Sequence, residues 1–394
     1  MSHILQDIFK SHYNDVLALN TRYAIIENVT KMINCGDPKN GGSMFGCEKC
    51  GTLKFVPFRC HSRFCPTCGN KYCQDRTLSM SFKLLNTQHR HCVFTIDSEL
   101  RKYFLLDRSL LDCLFDAVNS VVTRMFHKEN KTERFTPGFI CVLHTFGRDL
   151  KWNPHIHCLI SEGGVGRFTP WRPKKHFNYK FMRNAFRTAL LKLMLAKLGP
   201  SFKQVSARCY RDHSEGFYVY AKPNKCDPKT VTKYIGRYLG RPVIATSRID
   251  AFDSVNDTVT FHYNRHEDDK LVSETIPAMD FIKRLIRHIP DKHFKQIRYY
   301  GVYARHNLSG YLTAVAPSKR SYFKSFLNWR TNLYFTFGID PLKCPCCGSN
   351  MTLLELILNR EHFTLFELYN MEKERFLSNS SLHAGEQLSL AFSC

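Results

Sequence analysis

Two histidines at alternate positions of a short apolar segment have the types and spacing that metal chemistry needs. His155 and His157 lie in residues 152–160, with Ile156 between them. Successive side chains of a strand point to opposite faces, so both imidazoles would share one face while Ile156 faces a core. Two neutral imidazoles side by side are half of a metal site. His144, on the strand expected to pair with this one, could complete it.

A metal site is not the sole interpretation of this pair. Histidines inside a sheet are often satisfied by ordinary hydrogen bonds, and a chain with 18 histidines contains such spacings by chance. A second pair, His89 and His91, has the charged Arg90 between its histidines. A half-buried strand disfavours a charged residue facing its core. We therefore interpret the second pair as a decoy that leads into a strand at 91–96.

Two tyrosines one helical turn apart could supply a nucleophile. Residues 232–239 are bracketed by Asp-Pro before and Gly-Arg-Pro after, which predicts a helix with Tyr234 and Tyr238 on one face. A cationic stripe suited to phosphates runs beside them: Lys233, Arg237 and Arg241. The alternative for this segment alone is two packing tyrosines and solvated cations.

A tyrosine and a metal ion together could cut a DNA strand and keep hold of it. Tyrosine is a poor nucleophile at its ordinary pKa near 10, but nearby cations and a metal-bound phosphate would lower that barrier. The products would be a 5′-phosphotyrosine and a free 3′-OH. The ester keeps the bond energy, so the strand can be rejoined without ATP, and a second tyrosine allows a second cleavage.

The cysteines predict zinc. Three Cys-x-x-Cys pairs, each followed by Gly, are typical of zinc knuckles in a reducing compartment. Two pairs separated by 14 residues are expected to hold one structural zinc through Cys47, Cys50, Cys65 and Cys68. Cys344 and Cys347 could form a further knuckle that borrows its remaining ligands. The surplus donors, which could form another site or replace one of these ligands, are Cys35, Cys60, His61 and Cys73.

The charge balance indicates a polyanionic partner. The chain has 57 basic and 34 acidic residues and a net charge of +23, spread along its length. Such an excess favours nucleic acid over simple solubility. The 43% hydrophobic content is that of a globular protein, and no apolar run of 18 residues or signal peptide is evident. We expect a soluble cytoplasmic protein that does not enter a membrane.

Patterning along the chain divides it into three predicted domains. Residues 1–90 are expected to form a helical zinc-binding domain that recognises DNA, 91–320 the catalytic domain, and 321–394 a small C-terminal region with a mobile tail. Strands and amphipathic helices alternate in the catalytic domain in the order β-α-β-β-α-β-α. That order predicts an α+β fold, an antiparallel ferredoxin-like sheet with packed helices.

These motifs together resemble the two-tyrosine HUH-type transposases of the insertion-sequence-91 group. The resemblance covers nearly the whole chain. It rests on the Cys-rich start, on His-Thr-Phe-Gly at 144–147, on Asn-Pro-His-Ile-His at 153–157, on Tyr234 and Tyr238, on Arg-Tyr-Tyr-Gly at 298–301 and on the late Cys-Pro-x-Cys-Gly.

The resemblance implies a specific activity. His155 and His157 would bind Mg²⁺ or Mn²⁺, and Tyr234 and Tyr238 would be the nucleophiles. The zinc module would recognise element ends, and the substrate would be single-stranded DNA in rolling-circle-like transposition at the bacterial nucleoid. Plasmid relaxases, with similar chemistry, often use three histidines, which supports His144. Relatives often carry His where this chain has Asn153, and Asn can still cap or orient.

Two other functions fit the same residues. A replication initiator or relaxase would use the same chemistry for a different task. A zinc-containing DNA-binding regulator would need the basic charge and the knuckles but no reaction, and covalent DNA–protein adducts separate it from an enzyme. The sequence indicates no oligomeric state.

Overall fold

The structure is a computed structural model of the chain. It describes residues 3–81, 84–85, 87–128, 132–221, 242–265, 268–304, 328, 330–331, 333–334, 338, 340–358 and 360–380. These residues form two compact units. The larger unit comprises Met1–Ile33 and His61–Asn328, and the smaller comprises Asn34–Cys60 and Trp329–Cys394.

The described part of the chain contains helices and antiparallel strands in both units. The helices are α1 (Ile4–Ser11), α2 (Tyr13–Ala18), α3 (Tyr23–Ile33), α4 (Pro66–Ser81), α5 (Arg101–Leu106), α6 (Leu111–His127), α7 (Tyr179–Leu198), α8 (Lys203–Asp212), α9 (Ala278–Ile286) and α10 (Leu365–Ser380). The strands are β1 (Gly42–Gly46), β2 (Leu53–Pro57), β3 (His89–Thr95), β4 (Thr136–Phe146), β5 (Trp152–Val165), β6 (Arg172–Pro173), β7 (Val219–Ala221), β8 (Ile249–Asp253), β9 (Thr258–Asn264), β10 (Leu271–Pro277), β11 (Ile297–Gly301), β12 (Thr352–Leu358) and β13 (Glu361–Thr364).

The central sheet of the larger unit has the strand order β11-β4-β5-β3-β7, with β6 added to β5. Every pairing in it is antiparallel. β4 and β5 form a long hairpin whose turn is closed by a hydrogen bond from Gly147 N–H to Lys151 O (3.0 Å). The expected pairing of the strand of His144 with the strand of His155 and His157 is therefore confirmed.

One face of this sheet is covered by α6 and α7. Ile156, Cys158 and Ile160 of β5 alternate along the strand and are completely buried in the main hydrophobic core. The helices contribute their apolar stripes to the same core, so burial of one sheet face against two helices holds the layer together. The histidines of β5 point to the opposite face, as the alternation predicted.

Apolar periodicity predicts one long helix over residues 101–126, but the structure has two helices there. α5 ends at Leu106, and Asp107 then begins a 3₁₀ turn with its carboxylate accepting a hydrogen bond from Ser109 N–H (2.9 Å). Asp favours this capping role because its short side chain reaches a nearby backbone amide. The apolar spacing continues across the break, which explains why periodicity alone predicted one helix.

A second sheet of the larger unit has the order β10-β9-β8 and packs with α9. The mixed helices and antiparallel sheets confirm the α+β class, while the ferredoxin-like likeness stays a prediction. No helix of the described residues is long and apolar enough to cross a membrane.

The smaller unit joins two distant parts of the chain in one sheet of order β13-β12-β1-β2. β1 pairs with β2 on one side and, from Gly42 opposite Ile357 onward, with β12 on the other. Residues 34–60 share this unit with the C-terminal region, and the three domains expected at 1–90, 91–320 and 321–394 stay a prediction. Strand pairing between segments far apart in sequence leaves no local signal.

Candidate functional site

The β4–β5 hairpin brings together the three histidines that the sequence singled out. His144 is directly opposite His155 in the strand register, and His157 follows two residues later on the same face. One ring nitrogen from each of the three lies within 4.8 Å of the others. The hairpin thus places three side chains that could hold a metal ion on two neighbouring strands.

A hydrogen bond to the backbone sets the tautomer of the His155 ring. Its Nδ1–H donates to Asn153 O at 2.7 Å, which leaves the lone pair on Nε2. That Nε2 lies 3.1 Å from His157 Nε2. Two nitrogens bound at about 2.1 Å and at right angles to one ion are about 3.0 Å apart. The spacing of the two imidazoles therefore fits a shared divalent ion.

Burial keeps these imidazoles neutral at physiological pH. It lowers the pKa of His155 to about 4, against a partly opposing hydrogen bond to Asn153. Burial also holds the pKa of His157 well below its ordinary value, and the neighbouring His144, His155 and His91 add to the effect. Neutral imidazole is the form that binds a metal.

His91 also lies against this cluster, a contact that its interpretation as a decoy did not anticipate. It is 8% exposed, and its Nε2 lies 2.9 Å from His157 Nδ1 with the two rings stacked. If His157 held a metal through Nε2, its proton would lie on Nδ1 and this N–H would donate to His91. His91 would then fix the tautomer and orientation of His157.

Arg90 is accommodated in β3 because the fold supplies partners for its positive charge. Its side chain ion-pairs with Glu162 (2.7 Å), and its guanidinium lies 4.6 Å from the centre of the Phe177 ring. A further hydrogen bond reaches the Tyr179 hydroxyl. A guanidinium that stacks on a ring and pairs with a carboxylate can lie at a core boundary.

A thiol cluster in the smaller unit combines the first and third knuckles. Its four sulfurs, from Cys47, Cys50, Cys344 and Cys347, all lie within 4.8 Å of one another. The Sγ–Sγ distances are 3.5 Å from Cys47 to Cys347 and 3.6 Å from Cys50 to Cys344. Four thiolates at 2.3 Å around one tetrahedral zinc are about 3.8 Å apart, so the cluster fits zinc.

The two knuckles of this cluster have the same backbone geometry. In each, the glycine N–H donates to the first cysteine's carbonyl, at 2.8 Å for Gly51 and 3.1 Å for Gly348. The glycines have φ of +70° and +71°, a left-handed conformation that glycine adopts without strain. Hydrogen bonding to Ser349 lowers the pKa of Cys347 to about 6, which favours the thiolate that zinc requires.

The set predicted from spacing was Cys47, Cys50, Cys65 and Cys68, whereas the structure groups the sulfurs of the first knuckle with those of Cys344 and Cys347. Cys65 precedes α4 and Cys68 lies in its first turn, both buried. The surplus donors differ in burial: Cys35 and Cys73 are buried and Cys60 is half-buried. His61 is exposed and, within the described chain, belongs to no group of potential metal ligands. Spacing alone paired neighbouring knuckles and could not show the distant one.

The predicted tyrosine helix lies outside the described residues, which end at 221 and resume at 242. This applies to both nucleophile candidates and to the cationic stripe: Tyr234, Tyr238, Lys233, Arg237 and Arg241. The Arg-Tyr-Tyr-Gly motif lies in β11, where the Arg298 guanidinium stacks 4.0 Å from the centre of Phe115. That motif therefore closes the sheet edge and packs against α6.

Comparisons with known proteins agree with this architecture. A family model described as "Putative transposase" matches residues 138–309, and one described as "Transposase zinc-binding domain" matches residues 8–96. The chain is 30% identical to the transposase for insertion sequence element IS801 of Pseudomonas savastanoi pv. phaseolicola, over 83% of this chain and 82% of that protein. It is 26% identical to "Putative transposase y4qJ" of Sinorhizobium fredii, over 75% and 79% respectively. No solved structure matched.

The α+β sheet unit, the thiol cluster and these matches define a transposase with a zinc-binding domain. The chain belongs to the insertion-sequence-91 family of transposases. The family expected from the sequence motifs is therefore confirmed.

Proposed function

We propose that this transposase cuts and joins single-stranded DNA through 5′-phosphotyrosine intermediates in rolling-circle-like transposition. The observation that carries the proposal is the trio His144, His155 and His157, with two Nε2 atoms 3.1 Å apart on rigid strands. A divalent ion bound there would neutralise charge on the scissile phosphate. Imidazoles are softer donors than the oxygens that Mg²⁺ prefers, so Mn²⁺ is the better probe of this site.

The proposed reaction assigns one task to each group of residues. The hydroxyl oxygen of Tyr234 or Tyr238 forms a bond to phosphorus, and the bond from phosphorus to the 3′ oxygen breaks. The tyrosine proton is lost, and the departing 3′ oxygen takes up a proton. Lys233, Arg237 and Arg241 hold flanking phosphates. The reverse reaction with another 3′-OH joins the strands without an external energy source.

We further propose a structural zinc ion. Cys47, Cys50, Cys344 and Cys347 hold it in a tetrahedral site, supported by the spacing of their sulfurs.

Covalent trapping tests the catalytic proposal. Full-length protein is incubated with labelled single-stranded DNA from the element ends and Mn²⁺, then run on a denaturing gel. We expect a shifted band that disappears in the Tyr234→Phe/Tyr238→Phe double variant and in His155→Ala. Tyr23→Phe and His293→Ala, which change an exposed tyrosine and an exposed histidine elsewhere, should keep the band.

The same experiment separates the competing functions. An adduct formed on the ends of the element supports the transposase. Adducts confined to a plasmid origin would favour a replication initiator or relaxase. Intact DNA binding without an adduct on any strand would overturn the proposal and leave a zinc-containing DNA-binding protein.

A further inference from the structure

Two exposed tyrosines lie on the histidine face of the central sheet. Tyr218 is 56% exposed and Tyr220 is 41% exposed, although both belong to the segment that forms β7 at one end of the sheet. Their rings are nearly parallel, at 13°, with centroids 6.2 Å apart. We call this pair the tyrosine ledge. Exposed neighbouring aromatic rings are costly in water and typically mark a binding surface.

The strand register places the ledge in line with the metal-site histidines. Tyr220 is opposite Val93, which in turn is opposite His157. Tyr218 lies next to Thr95, because its carbonyl accepts a hydrogen bond from Thr95 N–H (3.0 Å). Thr95 is in turn opposite His155, so these three residues form a second row across the sheet. Directly opposite residues share a face. The ledge is therefore two strands away from the histidines of β5, roughly 10 Å at the usual strand spacing.

Burial of the intervening residue confirms this orientation. Val219, between the two tyrosines, is 1% exposed and lies in the core beneath α7. The tyrosines must then point to the other side, where the histidines lie. Thr95 and His155, in the row of Tyr218, are both partly exposed. Solvent thus reaches part of the row from His155 through Thr95 to Tyr218.

Cations accompany the ledge. The Arg183 guanidinium lies 5.5 Å from the centre of the Tyr218 ring. Arg101 and Arg183 line a cleft of about 410 Å³ that also contains Thr95 and Tyr218. Asp97, at the same cleft, is 2.9 Å from His213 Nε2 and is engaged by it. Aromatic faces for bases beside guanidinium groups for phosphates are the two components of a single-stranded nucleic-acid site.

We propose that the tyrosine ledge stacks nucleobases of the single strand whose phosphate lies at the histidine site. The inference rests on the proposed function and adds a binding residue pair to it. Stacking requires a π face and no particular base, so the ledge would hold the strand without reading its sequence. The net charge of +23 favours this occupant over a second copy of the same chain, which would repel.

Equilibrium binding to two oligonucleotides of equal charge tests the ledge. One is a single-stranded deoxythymidine oligomer, and the other is the same length with abasic positions. Affinity is measured by fluorescence anisotropy on full-length protein without added Mn²⁺ or Mg²⁺, so that no cleavage is needed. The variants are Tyr218→Ala, Tyr220→Ala and their double, with Tyr218→Trp/Tyr220→Trp as the aromatic replacement.

We expect each alanine variant to bind the base-containing strand about fivefold or more weakly, since stacking on one ring contributes about 1–3 kcal/mol. Binding to the abasic strand should change less than twofold. The tryptophan variant should keep the preference for bases, and Tyr23→Ala, at a 73% exposed tyrosine of α3, should match the native protein.

Three outcomes would overturn the proposal for the ledge. The alanine variants could lose equal affinity for both strands, lose affinity for neither, or change only the oligomeric state measured by light scattering. Failure of the ledge and failure of the catalytic proposal are distinguishable. Adducts that form without a base preference contradict the ledge alone. A base preference that depends on the tyrosines, without adducts, contradicts the catalysis alone.

Discussion

His91 is one hydrogen bond away from a proposed metal ligand, and this bond orients His157 Nε2 towards His155. A partner of this kind sets the direction and basicity of the ligand without touching the ion. Its loss typically lowers metal affinity by about 10–100-fold.

We expect His91→Phe to weaken Mn²⁺ binding by about 10–100-fold, because phenylalanine fills the space but cannot accept the His157 proton. His91→Gln, whose amide oxygen can accept it, should restore part of the affinity. Electron paramagnetic resonance of free Mn²⁺ measures this without catalysis. Thermal unfolding of both variants serves as the control for folding. Equal affinity in His91→Phe and the native protein would contradict the positioning role.

At the residue scale, the sequence predicted those neighbours whose placement follows from the alternation of side chains along paired strands. His144, His155 and His157 share a face because side chains alternate and the hairpin aligns them. His91 escaped prediction because its neighbour Arg90 was judged by charge alone. The ring and carboxylate that accommodate Arg90 come from 72 to 87 residues further along the chain, where no local pattern shows them.

At the scale of elements, β1 and β12 carry the two halves of one thiol cluster. Each strand adjoins a knuckle, and their antiparallel pairing brings Cys47 and Cys344 into one small core with Met351. A zinc ion held by this cluster would therefore reinforce the strand pairing. Removing the ligands of either knuckle should release the same ion.

We expect Cys344→Ser/Cys347→Ser to lose one zinc per chain, and Cys47→Ser/Cys50→Ser to lose the same one. Combining all four changes should cost no further zinc, because they share a site. Cys346→Ser is the matched control, since this exposed cysteine lies in the same knuckle but outside the cluster. Elemental analysis of purified protein gives the stoichiometry. Two zinc ions lost in the fourfold variant would show separate sites.

A buried histidine on β3 makes the sheet acid-sensitive. His89 donates from Nδ1 to Thr87 O and accepts from the Tyr303 hydroxyl, and burial lowers its pKa to about 4. The unfolded chain, with an ordinary pKa near 6.5, binds the proton more readily between these values. The contribution of neutral His89 to stability is therefore complete above about pH 6.5 and falls as the pH decreases towards 4, by up to about 3 kcal/mol.

The urea midpoint at pH 5 and at pH 7 measures this effect. The native protein should be less stable at pH 5 than at pH 7. His89→Gln should be less stable than the native protein at pH 7, but its stability should fall less between pH 7 and pH 5. His293→Gln, at an exposed histidine, should keep the full pH dependence. An unchanged slope in His89→Gln would contradict the assignment.

Elements with strong local patterns were predicted closely, and those that depend on distant partners were not. α7 and the β4–β5 hairpin follow from apolar periodicity and a turn. The break at Asp107 depends on one capping carboxylate, which periodicity ignores. The union of β1 with β12 depends on tertiary pairing alone.

At the scale of the whole molecule, the charge of +23 should dominate DNA affinity. Each phosphate neutralised by the protein releases counterions, so affinity falls steeply with salt. With about five phosphate contacts, single-strand binding should weaken by roughly a hundredfold between 50 and 200 mM salt. An uncharged-backbone oligomer of the same sequence should bind with little salt dependence. If the affinity for neither oligomer changed with salt concentration, the basic charge would have no role in DNA recognition.

The pairing of β1 with β12 also sets an order of events during synthesis. Cys50 cannot join its cluster until Cys344 has been synthesised, 294 residues later. The larger unit can fold while translation continues, because domains fold as units during synthesis. A chain cut short by a frameshift or a nonsense codon before residue 344 would retain the histidine hairpin but could not close its thiol cluster. Completion of this cluster thus reports that translation has passed residue 347.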